Sequence, residues 1–185
     1  MVQVDAVPWG FERDNGEQTM IFRIKEKFWS WGDEFSITDE HGEVKYLVKG
    51  RAFSWGDKLS VRDVDDNELA FINQKLLSLL PRYEIQIDGE VFAEVTKEWS
   101  WVKKKFKLDV PGPNDYEIEG SFWAHEFTFH RSGQDVAKVS KKLWDWTDSY
   151  GVEIVDGEDE VAILCACIVI DQVLHDDEHG SMGSD

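Results

Sequence analysis

The chain has 185 residues and a formal net charge of −18, from 38 acidic and 20 basic residues. That length is most simply one domain, large enough to bury a substantial core. The acidity excludes a general nucleic-acid binder, which presents a basic face, and opposes docking on an anionic bilayer at low salt.

The first residues, Met1 to Trp9, carry neither a basic start nor an apolar run, so no signal peptide is expected. Val7, Trp9 and Phe11 hint at an opening strand, and Asp14-Asn15-Gly16 is a turn signal. From Thr19 onward a pattern recurs: two anchor residues at period two, three residues (four in the fourth copy), then apolar-x-apolar. Its six copies are Trp29-x-Trp31 with Phe35-x-Ile37, Phe53-x-Trp55 with Leu59-x-Val61, and Leu77-x-Leu79 with Tyr83-x-Ile85; then Trp99-x-Trp101 with Phe106-x-Leu108, Ser121-x-Trp123 with Phe127-x-Phe129, and Trp144-x-Trp146 with Tyr150-x-Val152. The unit repeats every 22 to 24 residues, and alternation at period two is the mark of a half-buried strand.

A turn follows each copy, and in most copies a second alternating run follows the turn. Those runs are Val44-x-Tyr46-x-Val48, Leu69-x-Phe71, Val91-x-Ala93-x-Val95, Tyr116-x-Ile118 and Val136-x-Lys138-x-Ser140. Each unit is thus two strands and their turns, and six units predict about twelve strands. Closure removes exposed edges. A twelve-stranded barrel is too wide for its own side chains to fill and needs a plug. A two-sheet sandwich with a helix packed on one end is the competing fold.

The plug is predicted at residues 159–174. Residues 161–170 are apolar without a break, too short for a membrane span and too long for an ordinary strand. A helix apolar all round is buried all round, so Val161, Leu164, Cys165, Ala166, Ile168 and Ile170 form the expected core helix. Its β-branched residues keep a long buried strand open as the rival. Asp159 and Glu160 suit the positive end of the helix dipole. Cys165 and Cys167 are two apart, do not face each other on a helix, and are expected to be reduced in a cytoplasmic protein. The whole chain reads as one barrel domain: barrel about 18–158, helix about 159–174, acidic tail 175–185.

These features resemble the LURP-one-related family, a branch of the tubby C-terminal-like superfamily that also includes phospholipid scramblases. The repeated alternating units, the Asp-x-x-Gly-x-Val type junction from Asp39 to Val44 and the closing apolar helix with Asp171 near its end carry the resemblance, over about residues 18–178. It implies a closed barrel of twelve strands around a central C-terminal helix and no established enzyme activity. Tubby domains bind phosphoinositide headgroups, and scramblases act at membranes with calcium. A cysteine-rich palmitoylation segment and a helix long enough to span are both missing here, which counts against lipid transport.

Residues 97–142 carry a local charge of +2 inside the acidic chain. On a strand, Lys103, Lys105 and Lys107 share a face. With Lys141 and Lys142 they are the candidate site for an anionic lipid headgroup; the bland reading is a solvated barrel face. Nine tryptophans offer a stacking platform for sugars or lipids, or simply packing against the helix. His175 and His179, four apart, could hold zinc on a continuing helix, against a frayed acidic tail. Asp63-x-Asp65-x-Asn67 opens like a calcium loop, but Glu68 and Gln74 break the pattern and a turn reads better. No phosphate loop or nucleophile elbow is present, and nothing orders His125 and His130 as a catalytic pair. The expectation is therefore a cofactor-free, non-enzymatic binding or scaffold module, with membrane lipid headgroups or a protein as partner. Scramblase-like lipid handling and a hydrolase at a barrel mouth are the alternatives.

Overall fold

The computed structural model describes residues 18–25, 34–50, 58–75, 80–98, 105–112, 114–141 and 149–181. Twelve strands precede one helix: β1 (Thr19–Lys25), β2 (Glu34–Asp39), β3 (Val44–Gly50), β4 (Lys58–Arg62), β5 (Glu68–Gln74), β6 (Arg82–Ile87), β7 (Glu90–Glu98), β8 (Lys105–Asp109), β9 (Tyr116–Ser121), β10 (Glu126–Arg131), β11 (Gln134–Ser140), β12 (Ser149–Val155) and α1 (Glu160–Ser181). Neighbours in sequence pair antiparallel, and β1 pairs with β12 to close the barrel. The closed barrel rules out the sandwich, and the helix rules out a long buried strand.

Apolar side chains at alternate positions of every strand point at α1. Residues 162–174 of the helix are buried around its whole circumference. That stretch is about 20 Å long at 1.5 Å per residue, close to the span of a six- or seven-residue strand. Small residues (Ala162, Cys165, Ala166 and Cys167) alternate with Ile, Leu and Val. The rings of Tyr83, Tyr150, Phe106 and Phe129 fill the space around them. Both cysteines are free and buried. Of the expected core positions, Leu164, Cys165, Ala166, Ile168 and Ile170 are fully buried, and Val161 at the barrel mouth is half-buried.

The repeat has a structural correlate that its spacing alone does not state. Four hairpins carry an irregularity in register directly after the second residue of the apolar-x-apolar pair, at Ile37/Thr38, Val61/Arg62, Ile85/Gln86 and Phe129/His130. A bulge adds a residue, so the returning strand changes which positions face inward. This changes part of four of the alternating runs. In β5 the core residues are Ala70 and Ile72, with Leu69 and Phe71 half-buried; in β11 Val136 and Ser140 of the expected run are buried, but Ala137 and Val139 are fully buried beside them; and Val44 and Val91 are exposed at the starts of their strands.

The barrel has two unlike ends. The β2–β3, β4–β5, β6–β7, β8–β9 and β10–β11 turns lie at one end, here the hairpin end, together with the link from β12 to the N-terminus of α1. At the other end β9 passes through a 3-10 turn, Phe122–Ala124, into β10, where period-two anchors at Ser121 and Trp123 had suggested a strand. The paired anchors of the other five repeats, and Val7, Trp9 and Phe11, lie outside the described residues, as does the side chain of Trp123, so the tryptophan platform and the opening strand do too. The helix backbone continues past Leu174 to Ser181, so residues 175–181 are helical rather than frayed.

Candidate functional site

At the hairpin end, three consecutive acids fix the start of the helix, each differently. The backbone carbonyl of Asp159 accepts from Ile163 N (3.1 Å), and its Oδ1 accepts from Ala162 N at 3.0 Å, which makes it the N-cap. Glu160 accepts the hydroxyl of Tyr46 from β3. Glu158 accepts the hydroxyl of Tyr116 from β9 at 2.9 Å and an Arg131 guanidinium N–H from β10 at 2.6 Å. Arg131 also lies over the Tyr116 ring, 5.5 Å from its centroid. Burial, reinforced by the hydrogen bond to Glu158, pushes the Tyr116 hydroxyl up to about 12. Burial and then Glu160 raise Tyr46 still further.

Beside this network lies a cavity of about 390 Å³, within the size range of small-ligand sites. Val91, Phe92, Val110, Pro111 and Ala162 supply apolar wall, and Asn114, Tyr116, Arg131 and Asp159 supply polar groups. The cavity therefore sits between the tips of β7 to β10 and the first turn of α1. Sequence reasoning found Asp159 and Glu160 but assigned them only to the helix dipole. Nothing in the spacing ties Tyr116, Arg131 and Glu158 together, because the closure of the barrel does that.

The predicted headgroup lysines are differently placed. Lys105 and Lys107 share a face of β8, with Phe106 and Leu108 turned into the core. Lys105 pairs with Glu119 on β9. Lys107 pairs with Asp115 at 2.5 Å and Asp109 at 3.4 Å, and Asp115 is the main reason its ammonium pKa is raised. The small depression here, about 170 Å³, is lined by Lys105, Lys107, Glu117 and Glu119, so two carboxylates balance two ammonium groups. Lys141 follows β11 at the opposite end from the turns. Lys103 and Lys142 lie outside the described residues.

Two histidines acquire partners that sequence reasoning did not supply. His125 Nε2 lies 2.7 Å from Asp171 Oδ1 on α1, and His130 Nδ1 lies 2.7 Å from Asp135 Oδ1 across the β10–β11 turn. Asp63 Oδ1 accepts from Asp65 N and Asn67 N, and Oδ2 accepts from the Asn67 amide. The segment is therefore a side-chain-capped turn between β4 and β5, as expected over a calcium loop. Among the described residues no cluster of His, Cys, Asp and Glu could hold a metal ion, and no helix is long and apolar enough to cross a membrane. The side chains of His175 and His179 lie outside the described set.

The comparisons agree with this architecture. The pattern of the LURP-one-related family matches residues 20–171. The uncharacterized protein YxjI of Bacillus subtilis is 42% identical over 160 residues, covering 86% of this chain and 96% of its own length. The X-ray structure of a protein from Arabidopsis thaliana has a TM-score of 0.62 at 19% identity, over 85% of this chain and 91% of that one, which shows a shared fold. The chain belongs to the LURP-one-related family.

Proposed function

We propose, from the premise that this is a LURP-one-related barrel, that the protein is a non-catalytic binding module whose site is the cavity at the hairpin end. The observation that carries this reading is the cavity itself: a pocket of about 390 Å³, part apolar and part polar, with Arg131, Tyr116 and Asp159 among its polar lining. Tyr116 and Arg131 are held by Glu158 and Asp159 by its N-cap bond from Ala162 N, and a preorganised pocket loses little on binding. The arrangement offers hydrogen bonds and apolar contact but no nucleophile–base pair, so it suits recognition rather than turnover. The lysine face is the weaker site for an anionic headgroup, because such a ligand would have to displace Glu119 and Asp115 from Lys105 and Lys107.

An amide-shift titration with indole, a neutral apolar probe, tests the location. Shifts at Val91, Val110 and Ala162, lost when Ala162→Leu narrows the cavity, support the reading. Shifts confined to β8 and β9 around Lys105 and Lys107, or none at saturating probe, overturn it. Flotation with neutral and anionic vesicles across a salt series separates this module from a scramblase-like lipid handler: salt-resistant membrane binding, lost on changing Lys105 and Lys107 to Ser, would favour the lysine face instead.

A further inference from the structure

The large hydrophobic side chains that the described residues leave exposed are Val44 (41%), Val64 (61%) and Val91 (48%). All three stand at the hairpin end. Val44 opens β3, Val64 lies in the turn between β4 and β5, and Val91 is near the start of β7. β3 and β7 are four strand spacings apart around the barrel, so the three valines span an arc of about 20 Å. The arc ends at the cavity, of which Val91 forms part of the wall. Three exposed valines on successive hairpins, the last of them on the wall of the cavity, form a spaced apolar row along this end.

Charge decides what could cover it. The five turns and the β12–α1 link, residues 39–43, 63–67, 88–90, 109–115, 132–135 and 156–160, hold fifteen Asp and Glu and no Lys or Arg. Lys45, Lys49, Arg62, Lys107 and Arg131 stand behind these turns, each in an ion pair with one of those carboxylates (Asp39, Asp66, Asp115 or Glu158), so the excess of acid over base persists after pairing. A second copy of a chain of net charge −18 is repelled from this end. The chain's own first seventeen residues carry Asp5, Glu12, Asp14 and Glu17 against Arg13, so they do not complement it. Anionic lipid and nucleic acid are excluded on the same ground.

We infer that the hairpin end docks a basic amphipathic protein segment, whose apolar residues lie along Val44, Val64 and Val91 with one anchor in the cavity, and whose Lys and Arg residues meet the acidic turns. This rests on the cavity being the binding site and adds the class of partner. A helix of about thirteen residues would span the arc. Electrostatic attraction would speed its encounter, and the valine row and pocket would hold it.

The test is fluorescence anisotropy with a labelled peptide of Lys and Leu at amphipathic helical spacing, a mirror peptide with Glu for Lys, and a third with Ser for Leu. The expected result is binding of the Lys–Leu peptide that weakens with salt, with the other two at least about tenfold weaker. Val64→Ser with Val91→Ser, surface changes whose intact fold an unchanged melting curve confirms, should weaken the Lys–Leu peptide about tenfold. Equal binding of the Lys–Ser peptide, or no effect of the two valine changes, would reduce the surface to diffuse charge and overturn the inference. Concentration-dependent self-association abolished by the same changes would overturn it in favour of a second copy. If indole enters the cavity but the Lys–Leu peptide does not bind, the partner class fails while the cavity stands as a binding site; if neither binds, both fail.

Discussion

Nε2 of His125 sits 2.7 Å from Oδ1 of Asp171, joining the 3-10 turn after β9 to the inner half of α1 across 46 residues of sequence. His125 takes left-handed backbone, φ 49°, to end that turn, and its ring stacks on Tyr150 at 4.7 Å. Asp171 is buried, one of the few polar side chains on the buried length of the helix. The pair therefore pins the helix at the end opposite its Glu158–Glu160 anchor. Asp171→Ala should cost about 2 kcal/mol, the range for a hydrogen bond to a charged group. Asp171→Asn should cost less, because its amide can still pair with the imidazole. Urea denaturation of both variants checks this; equal losses would mean that His125 is not the partner that matters.

The centre of the helix tolerates no charge. Ala166 is fully buried in the middle of α1, encircled by barrel side chains. Ala166→Asp would bury a carboxylate without a partner, at a cost of several kcal/mol, comparable to the whole stability of a typical domain. The expected outcome is loss of the cooperative melting transition, while Ala166→Gly, which leaves no charge, keeps it at a lower temperature. A native near-ultraviolet spectrum for the Asp variant would show that residue 166 can reach water.

Alkali should unfold the barrel from the hairpin end. Burial, reinforced by the bond to Glu158, raises the Tyr116 hydroxyl from 10.0 to about 12. Tyr46 moves the same way, with burial first and Glu160 second. Burial also raises Cys165 and Cys167. A group whose folded pKa is raised contributes stability that is fully present below its unfolded pKa and is lost as pH climbs through the folded value. For Tyr116 the loss therefore falls between pH 10 and about 12. Tyr116→Phe should lower stability at neutral pH by about 1 kcal/mol and make the alkaline decline shallower by about one proton. Denaturation midpoints against pH for both proteins measure it; parallel curves above pH 10 would contradict it.

The fold was legible where the sequence pattern is itself the physical cause. An unbroken apolar run from Val161 to Ile170 can only be buried, and a repeat of 22 to 24 residues with period-two alternation can only be hairpins. Positions just beyond a bulge were not legible. The extra residue in β5, Leu69 opposite the Val61/Arg62 step, moves the core face of β5 onto Ala70 and Ile72, and no side-chain pattern announces it. Closure pairs were hidden too. Tyr116, Arg131 and Glu158 meet because β9, β10 and the helix start converge at one end, and His125 meets Asp171 for the same reason at the other. The lysine face was visible as a pattern, but its acid partners on β9 and in the β8–β9 turn follow only from the pairing of β8 with β9.

Gly120 is where the barrel wall can least accept a side chain. It lies near the end of β9 with φ +148°, in a region that residues with a side chain rarely adopt. A Cβ there would lie 2.5 Å from Phe127 Cα and also against the carbonyl of Glu126. Those are backbone atoms of the paired strand β10, which cannot swing away as a side-chain tip would. Gly120→Ala should therefore cost about 3–5 kcal/mol, from backbone strain and overpacking together, whereas Ser121→Ala at the exposed next position should cost little. The stretch from Gly120 to Phe127 also carries His125, so displacing it should loosen the bond to Asp171. The two losses should then be less than additive: Gly120→Ala with Asp171→Ala should be more stable than the sum of the single changes requires. Urea midpoints for the full cycle decide it, and strict additivity would mean that the turn holds His125 in place independently of its own strand.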